Sequence, residues 1–302
     1  MRKLICAVLG VWFCYSGAVY AMTSTNYGIP FDSLNSGGTD WSSSTNYNLN
    51  DTMGEQATGL TTSTNYTLHA GYRQTDEFES LSFNVGAAET STKIAYTALN
   101  LSFPYSVTVN STTGYSTGSH ISVIENLGLT QKLAVGKIIS ILGNVLTVDK
   151  WDGDTGTMSP VPAGGDDFVY RSDGIHVQFG ALTPSVGSTS NIVTEVSTNA
   201  TFGYTVQVYS NGYLTSGAHN IHNVSDGSIT GDSEEYGASV VGTRSVGAGS
   251  DFAVTTTQTL IQTYTGGAIT DRIGMNYKLF VNMATLPGSY TQNVTYLLTA
   301  NF

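Results

Sequence analysis

Three observations predict an all-β protein: a small β domain followed by an antiparallel β-sandwich, with a β-hairpin repeat segment in front. Apolar and polar side chains alternate over long stretches, most cleanly after residue 174. Gly, Ser, Thr, Asn and Tyr are abundant while only 11% of residues are charged, a composition suited to short strands and tight turns. No segment carries apolar residues at helical spacing.

The first 21 residues read as an export signal. Arg2 and Lys3 open it, Leu4 to Tyr15 is an apolar run, and Val19-Tyr20-Ala21 precedes the expected cleavage point. The run is too short to span a bilayer as a helix. Both cysteines, Cys6 and Cys14, fall inside this signal. The exported chain, from Met22, is therefore expected to be free of cysteine and held by its apolar core. Without Arg2 and Lys3, 9 basic residues face 22 acidic ones, a formal charge of −13. That charge disfavours nucleic acid and anionic membrane surfaces as partners.

Residues 22–75 repeat a short unit. Ser24-Thr25-Asn26-Tyr27, Ser44-Thr45-Asn46-Tyr47 and Ser63-Thr64-Asn65-Tyr66 recur at nearly equal intervals. Each unit reads as one or two short strands closed by glycine turns. The segment resembles repeats of exported bacterial proteins.

Residues 76–173 read as a small β domain behind an acidic hinge, Asp76-Glu77-Phe78-Glu79. Strands are expected at Lys93–Thr97, Tyr105–Val109 and Ile121–Ile124. The clearest signal is a hairpin: Lys137 to Leu142, the turn Gly143-Asn144, then Val145 to Val148. Both arms are rich in β-branched residues, and Gly and Asn tolerate the positive φ of a two-residue turn.

Residues 174–302 read as the sandwich. Ile175, Val177 and Phe179 share one strand face, and Phe202, Tyr204, Val206 and Val208 another. Ile273, Met275, Tyr277, Leu279, Val281 and Met283 form the longest stripe. Val294, Tyr296, Leu298, Ala300 and Phe302 form the last. Period two places one face of each strand on a core and the other toward solvent. The turn Leu286-Pro287-Gly288-Ser289 predicts that the final two strands pair as a hairpin.

The sequence assembles no catalytic set. Asp154-Thr155-Gly156 matches an aspartic-protease triplet, but that chemistry needs a second carboxylate of the same kind and no second triplet exists. Gly231-Asp232-Ser233 lacks a histidine base after it in the chain. Asp149, Asp152 and Asp154 form a candidate calcium cluster, with a solvated acidic turn as the alternative reading. His219 and His222 sit three apart without a nearby Cys or acidic ligand and read as surface loop residues. No cofactor other than that calcium is expected.

Residues 174–302 resemble WxL-type bacterial cell-surface domains, whose two Trp-x-Leu motifs lie mid-domain and in the final strand. Tyr204-Thr205-Val206 and Tyr296-Leu297-Leu298 occupy those places, with tyrosine for each tryptophan. Val177-Gln178-Phe179-Gly180, Leu214-Thr215-Ser216-Gly217 and Pro287-Gly288-Ser289-Tyr290 complete the pattern. The resemblance implies an Ig-like or WxL-like sandwich, with Tyr204, Val206, Tyr296 and Leu298 at its binding positions. Read from periodicity alone, those four belong to the core.

The expected protein is thus a secreted, non-enzymatic bacterial cell-surface protein, acting in adhesion or as a structural envelope component. Its expected partners are a cell-wall polymer, a glycan or other surface proteins. Two alternatives stand beside it. One is a pilin-like filament subunit assembled by strand exchange. The other is an outer-membrane β-barrel, suggested by the terminal Phe302 after alternating apolar residues.

Overall fold

The computed structural model describes Glu79–Phe302 continuously, together with the backbone of four short strands before it. The chain divides into two compact units, Met1–Phe78 and Glu79–Phe302. The export signal and the first tetrad, Ser24 to Tyr27, lie outside the described residues. In the first unit, β1 (Ser42–Ser43) pairs antiparallel with β2 (Asn48–Leu49), and β3 (Gly59–Thr62) with β4 (Thr67–Ala70). A Ser-Thr-Asn-Tyr tetrad, and not a glycine-rich segment, separates the partners of each pair in sequence.

The second unit is almost wholly β; its one helical turn is a 3-10 turn at Thr90–Thr92. Its strands are β5 (Leu81–Ala87), β6 (Ile94–Asn100), β7 (Ser106–Val109), β8 (His120–Glu125), β9 (Lys132–Leu142), β10 (Val145–Val148), β11 (Asp152–Gly153) and β12 (Phe168–Arg171). There follow β13 (Ser188–Thr198), β14 (Tyr204–Ser210), β15 (Thr215–Ser216), β16 (His219–Asn220), β17 (Glu235–Val241), β18 (Thr259–Tyr264), β19 (Ala268–Phe280) and β20 (Val294–Ala300).

Strands β6 to β12 build a small closed barrel. The order β10-β7-β6-β12-β8-β9 closes because β10 also pairs with β9, and β11 adds to the outer edge of β9. Strand β9 turns the corner itself. Its Lys132–Lys137 half pairs with β8 and its Ile138–Leu142 half with β10. The predicted hairpin stands, with Leu142 opposite Val145 and Gly143 at φ +58. The barrel interior holds Leu99, Val107, Ile121, Val123, Ile138, Leu146 and Val169. Apolar side chains thus fill the inside, the reverse of a barrel that faces lipid.

Two further sheets face each other across a second core. One runs β17-β19-β13-β5 and the other β18-β14-β20. Ile192, Val196, Tyr236, Ile273, Met275 and Tyr277 come from the first sheet, and Tyr204, Val206, Val208 and Ile261 from the second.

Five expectations change here. The domain boundary at 173/174 is crossed by β5, which pairs along β13 and belongs to the four-stranded sheet. The barrel is therefore inserted between the first strand of that sheet and the rest of it. The last two strands do not form a hairpin. Strand β19 lies between β17 and β13, whereas β20 pairs with β14 in the opposite sheet. The Leu286 to Ser289 turn lies on a loop that crosses between sheets, so the two stripes meet face to face, with the hydroxyls of Tyr277 and Tyr296 hydrogen-bonded.

Residues 175–187 are not a strand. Val177 and Phe179 turn inward against the core, but Ile175 is 86% exposed. Finally, the polar faces of β13 and β19 are not solvated, because the barrel covers them. Met283, Phe302 and Phe202, at the ends of the predicted stripes, are exposed. They lie outside the strands, where no opposing sheet covers them.

Candidate functional site

The barrel docks on the outer face of the four-stranded sheet. Ile124, Leu133, Val135 and Tyr170 of the barrel pack with Val193 of β13. Gly274 of β19 permits this approach: a Cβ there would lie 2.6 Å from the Leu133 side chain. Beside the apolar contact, Gln131 Nε2 donates to Asn276 Oδ1 at 2.8 Å, and Thr189 Oγ1 donates to Gln131 Oε1 at 2.7 Å.

The same interface buries a charged network around Arg272, which is 0% exposed at its side chain. Its Nη1 and Nη2 donate to the two Asp149 oxygens at 2.8 and 2.5 Å, and its Nε donates to Glu195. Lys137 Nζ also donates to Glu195, at 3.0 Å. His120 spans Asp173, 3.4 Å from Nδ1, and Glu195, 3.2 Å from Nε2. Burial alone would push the Asp149 carboxyl up, but the hydrogen bonds and charge of Arg272 hold it below its ordinary value. Glu195 is likewise held well down, against its burial, by His120, Arg272 and Lys137. Burial of His120 would lower its pKa, yet hydrogen bonds to Asp173 and Glu195 raise it, against the charge of Arg272. Every group in the set has an opposite partner, so the arrangement is a clasp between barrel and sheet.

The clasp sets a pH dependence. The depressed carboxylates contribute fully above their unfolded values near pH 4, and that contribution is lost as pH falls. The raised His120 contributes fully below its unfolded value of 6.5, and that contribution is lost as pH rises through the folded value. Urea unfolding is expected to show higher stability at about pH 5.5 than at about pH 8.5, and His120→Gln is expected to reduce that difference. An unchanged difference in the variant would remove His120 from this role.

The three aspartates of the candidate calcium cluster do not converge. Asp149 is taken by Arg272 and by the backbone N–H groups of Lys137 and Lys150. Asp152 pairs with Lys150 at 3.5 Å and accepts from Thr243, and Asp154 accepts from the Leu133 backbone N–H at 3.0 Å. Calcium needs several free oxygens round one point; among the described residues no group of three His, Cys, Asp or Glu is placed to hold a metal. The calcium reading is therefore corrected: the separate partners of these carboxylates hold them apart. Sequence reading missed Glu234, which accepts contacts from both histidines, His219 at 3.3 Å and His222 at 3.4 Å. Glu234 lies well beyond His222 along the chain, so no local spacing reveals the pair.

The WxL-like positions are core residues. Tyr204 and Val206 are buried on β14, while Tyr296 and Leu298 pack on the same core from β20, with Val206 opposite Leu298. Tyr204 accepts a hydrogen bond from Gln262 Nε2 at 2.9 Å and donates to Asp271 at 3.2 Å.

The feature best suited to contact lies on one flank of the paired sheets. There the edge strands β5 and β20 leave a groove of about 1340 Å³, floored by Tyr236, Tyr277 and Tyr296 and crossed by residues 175–184. Phe179 of that crossing segment stands edge-on to Tyr236, their ring centroids 6.2 Å apart, and Tyr236 stacks on Tyr277. The two flanks differ. On the far side, β17 is covered by bonds from His222–Val224 and Phe252, and β18 by bonds from Arg244–Val246. On the groove side, Ala87 bonds Gly174, which fixes the parity of β5. The backbone groups of Leu81, Phe83 and Val85 point the same way and have no backbone partner among the described residues.

On β20, Asn293 and Asn301 bond toward β14, so the backbone groups of Val294, Tyr296, Leu298 and Ala300 point to the free side, also without a described backbone partner. Comparison with known proteins adds no guide: no family model, curated protein or solved structure matches this chain. Among the described residues no helix is long and apolar enough to cross a membrane.

Proposed function

We propose that this chain is a secreted, non-enzymatic protein of a bacterial surface that works by contact, in adhesion or as a structural envelope component. The observation that carries the reading is this flank: two strand edges whose outward backbone groups have no backbone partner among the described residues border a tyrosine-floored groove, a surface suited to an added strand or polymer. The export-signal pattern of residues 1–21 and the low charge agree with it. The test is binding of purified exported protein to intact cells, wall polymer, glycans and itself. Retention on at least one is expected; protein recovered wholly free from all of them would overturn the reading. A filament subunit that exchanges strands is a second reading, favoured by the same free edges. Electron microscopy of concentrated protein separates it from the first, since only the second yields filaments.

A further inference from the structure

We infer that the edge of β20, which has no backbone partner among the described residues, is a self-association site, where two copies pair antiparallel about a two-fold axis at Leu297. The inference rests on the contact reading above and names its partner.

The first ground is an edge that none of the usual guards protects among the described residues. Natural edge strands are protected from mutual pairing by charge, proline, bulges or covering loops. Val294–Ala300 has no charged residue and no proline, and its register with β14 has no bulge. The far flank shows that this fold does cover its edges elsewhere.

The second ground is self-complementarity. The free backbone groups belong to the even residues, so two antiparallel copies exchange bonds between even residues. With the axis at Leu297, Val294 meets Ala300, Tyr296 meets Leu298, Thr295 meets Thr299, and Leu297 meets its own copy. Threonine opposite threonine and apolar opposite apolar are favourable cross-strand pairs. An isologous contact of this kind closes on itself and extends β18-β14-β20 into one continuous sheet across both copies.

The third ground is charge. Exported copies carrying −13 each repel one another, so close approach is confined to neutral surface. From Thr291 to Asn301 the chain has no ionisable acid or base other than tyrosine, and Leu297 is 38% exposed on the outer face.

The test uses two charge variants of the exported protein and one cysteine variant. Thr295→Lys with Thr299→Lys, and Thr295→Glu with Thr299→Glu, place like charges opposite each other in either homodimer. Both threonines are exposed, so folding is retained and is checked by circular dichroism. Sedimentation is expected to show a concentration-dependent dimer for the unaltered protein, loss of it in each variant alone, and its return when the two are mixed. Leu297→Cys is expected to crosslink under mild oxidation, because a non-hydrogen-bonded pair places its Cα atoms about 4.5 Å apart, within disulfide reach. A protein that stays monomeric at millimolar concentration overturns the inference. So do dimers that persist in both charge variants, or dimers that Leu297→Cys fails to crosslink, since another surface or a strand from elsewhere would then be the partner. A monomer that still binds cells or polymer defeats this inference alone and leaves the contact reading standing.

Discussion

Arg272→Ala is expected to destabilise the second unit by about 3–5 kcal/mol, because removing one partner of a buried ion network leaves uncompensated charge behind. The side chain is wholly buried and meets two carboxylates from different layers. Asp149 follows β10 of the barrel, while Glu195 lies on β13 of the sheet. Without the guanidinium, Glu195 keeps Lys137 and His120, but Asp149 keeps only backbone donors. The effect should appear in urea unfolding followed by both tryptophan fluorescence and circular dichroism. Trp151 packs in the barrel core and reports from there, and Trp41→Phe leaves it as the sole tryptophan of the exported chain. A loss under about 1 kcal/mol, the scale of an exposed pair, would show that the clasp is solvated in solution.

Gly86→Ala is expected to cost about 3 kcal/mol, at the top of the range for overpacking a filled site. Gly86 lies in β5, where the chain returning from the barrel passes over it. A Cβ at this position would stand 1.9 Å from the backbone oxygen of Ser172. Backbone cannot step aside as a flexible side chain would, and Ser172 is itself fixed by its Oγ contact with Ser122 at 2.7 Å. Strand β5 would have to separate from β13, or the return segment from β5. Thermal unfolding measures the cost. A melting temperature equal to that of the unaltered protein would show that the crossing has slack. As a control, Gly156→Ala meets nothing within 4 Å and should be near neutral.

The two glycines that matter most for the docking, Gly86 and Gly274, look like ordinary residues of a β-rich sequence. Their reason lies in crossings between segments far apart along the chain, Gly86 with Ser172 and Gly274 with Leu133, which no local pattern carries. The barrel hairpin at Gly143-Asn144 is the opposite case: turn chemistry and flanking β-branched arms adjoin one another in sequence, so it was legible. The Ile273 to Val281 stripe was legible for the same reason. Its sheet partners were not, since period two says which side chains share a face and nothing about which strand lies alongside. The loop at Leu286 to Ser289 could equally close a hairpin or cross the core, and the hydroxyl pair of Tyr277 and Tyr296 marks the crossing. The candidate site was least legible. A free edge is a property of backbone groups left unpaired after all strands have found partners, and its parity needs the register of β14 with β20.

By itself, the sequence determined that the second unit is built of strands, where the barrel hairpin turns and which residues of the long strands face inward, because these follow from nearest-neighbour alternation and turn residues. Only the tertiary structure decided that the polar residues Glu195, Arg272 and Asn276 are also inside. A second layer packs on that face, and a polar side chain tolerates burial when partners from another layer supply its hydrogen bonds and opposite charge. Alternation records a difference between two faces; it does not record whether water or the rest of the chain meets the more polar one.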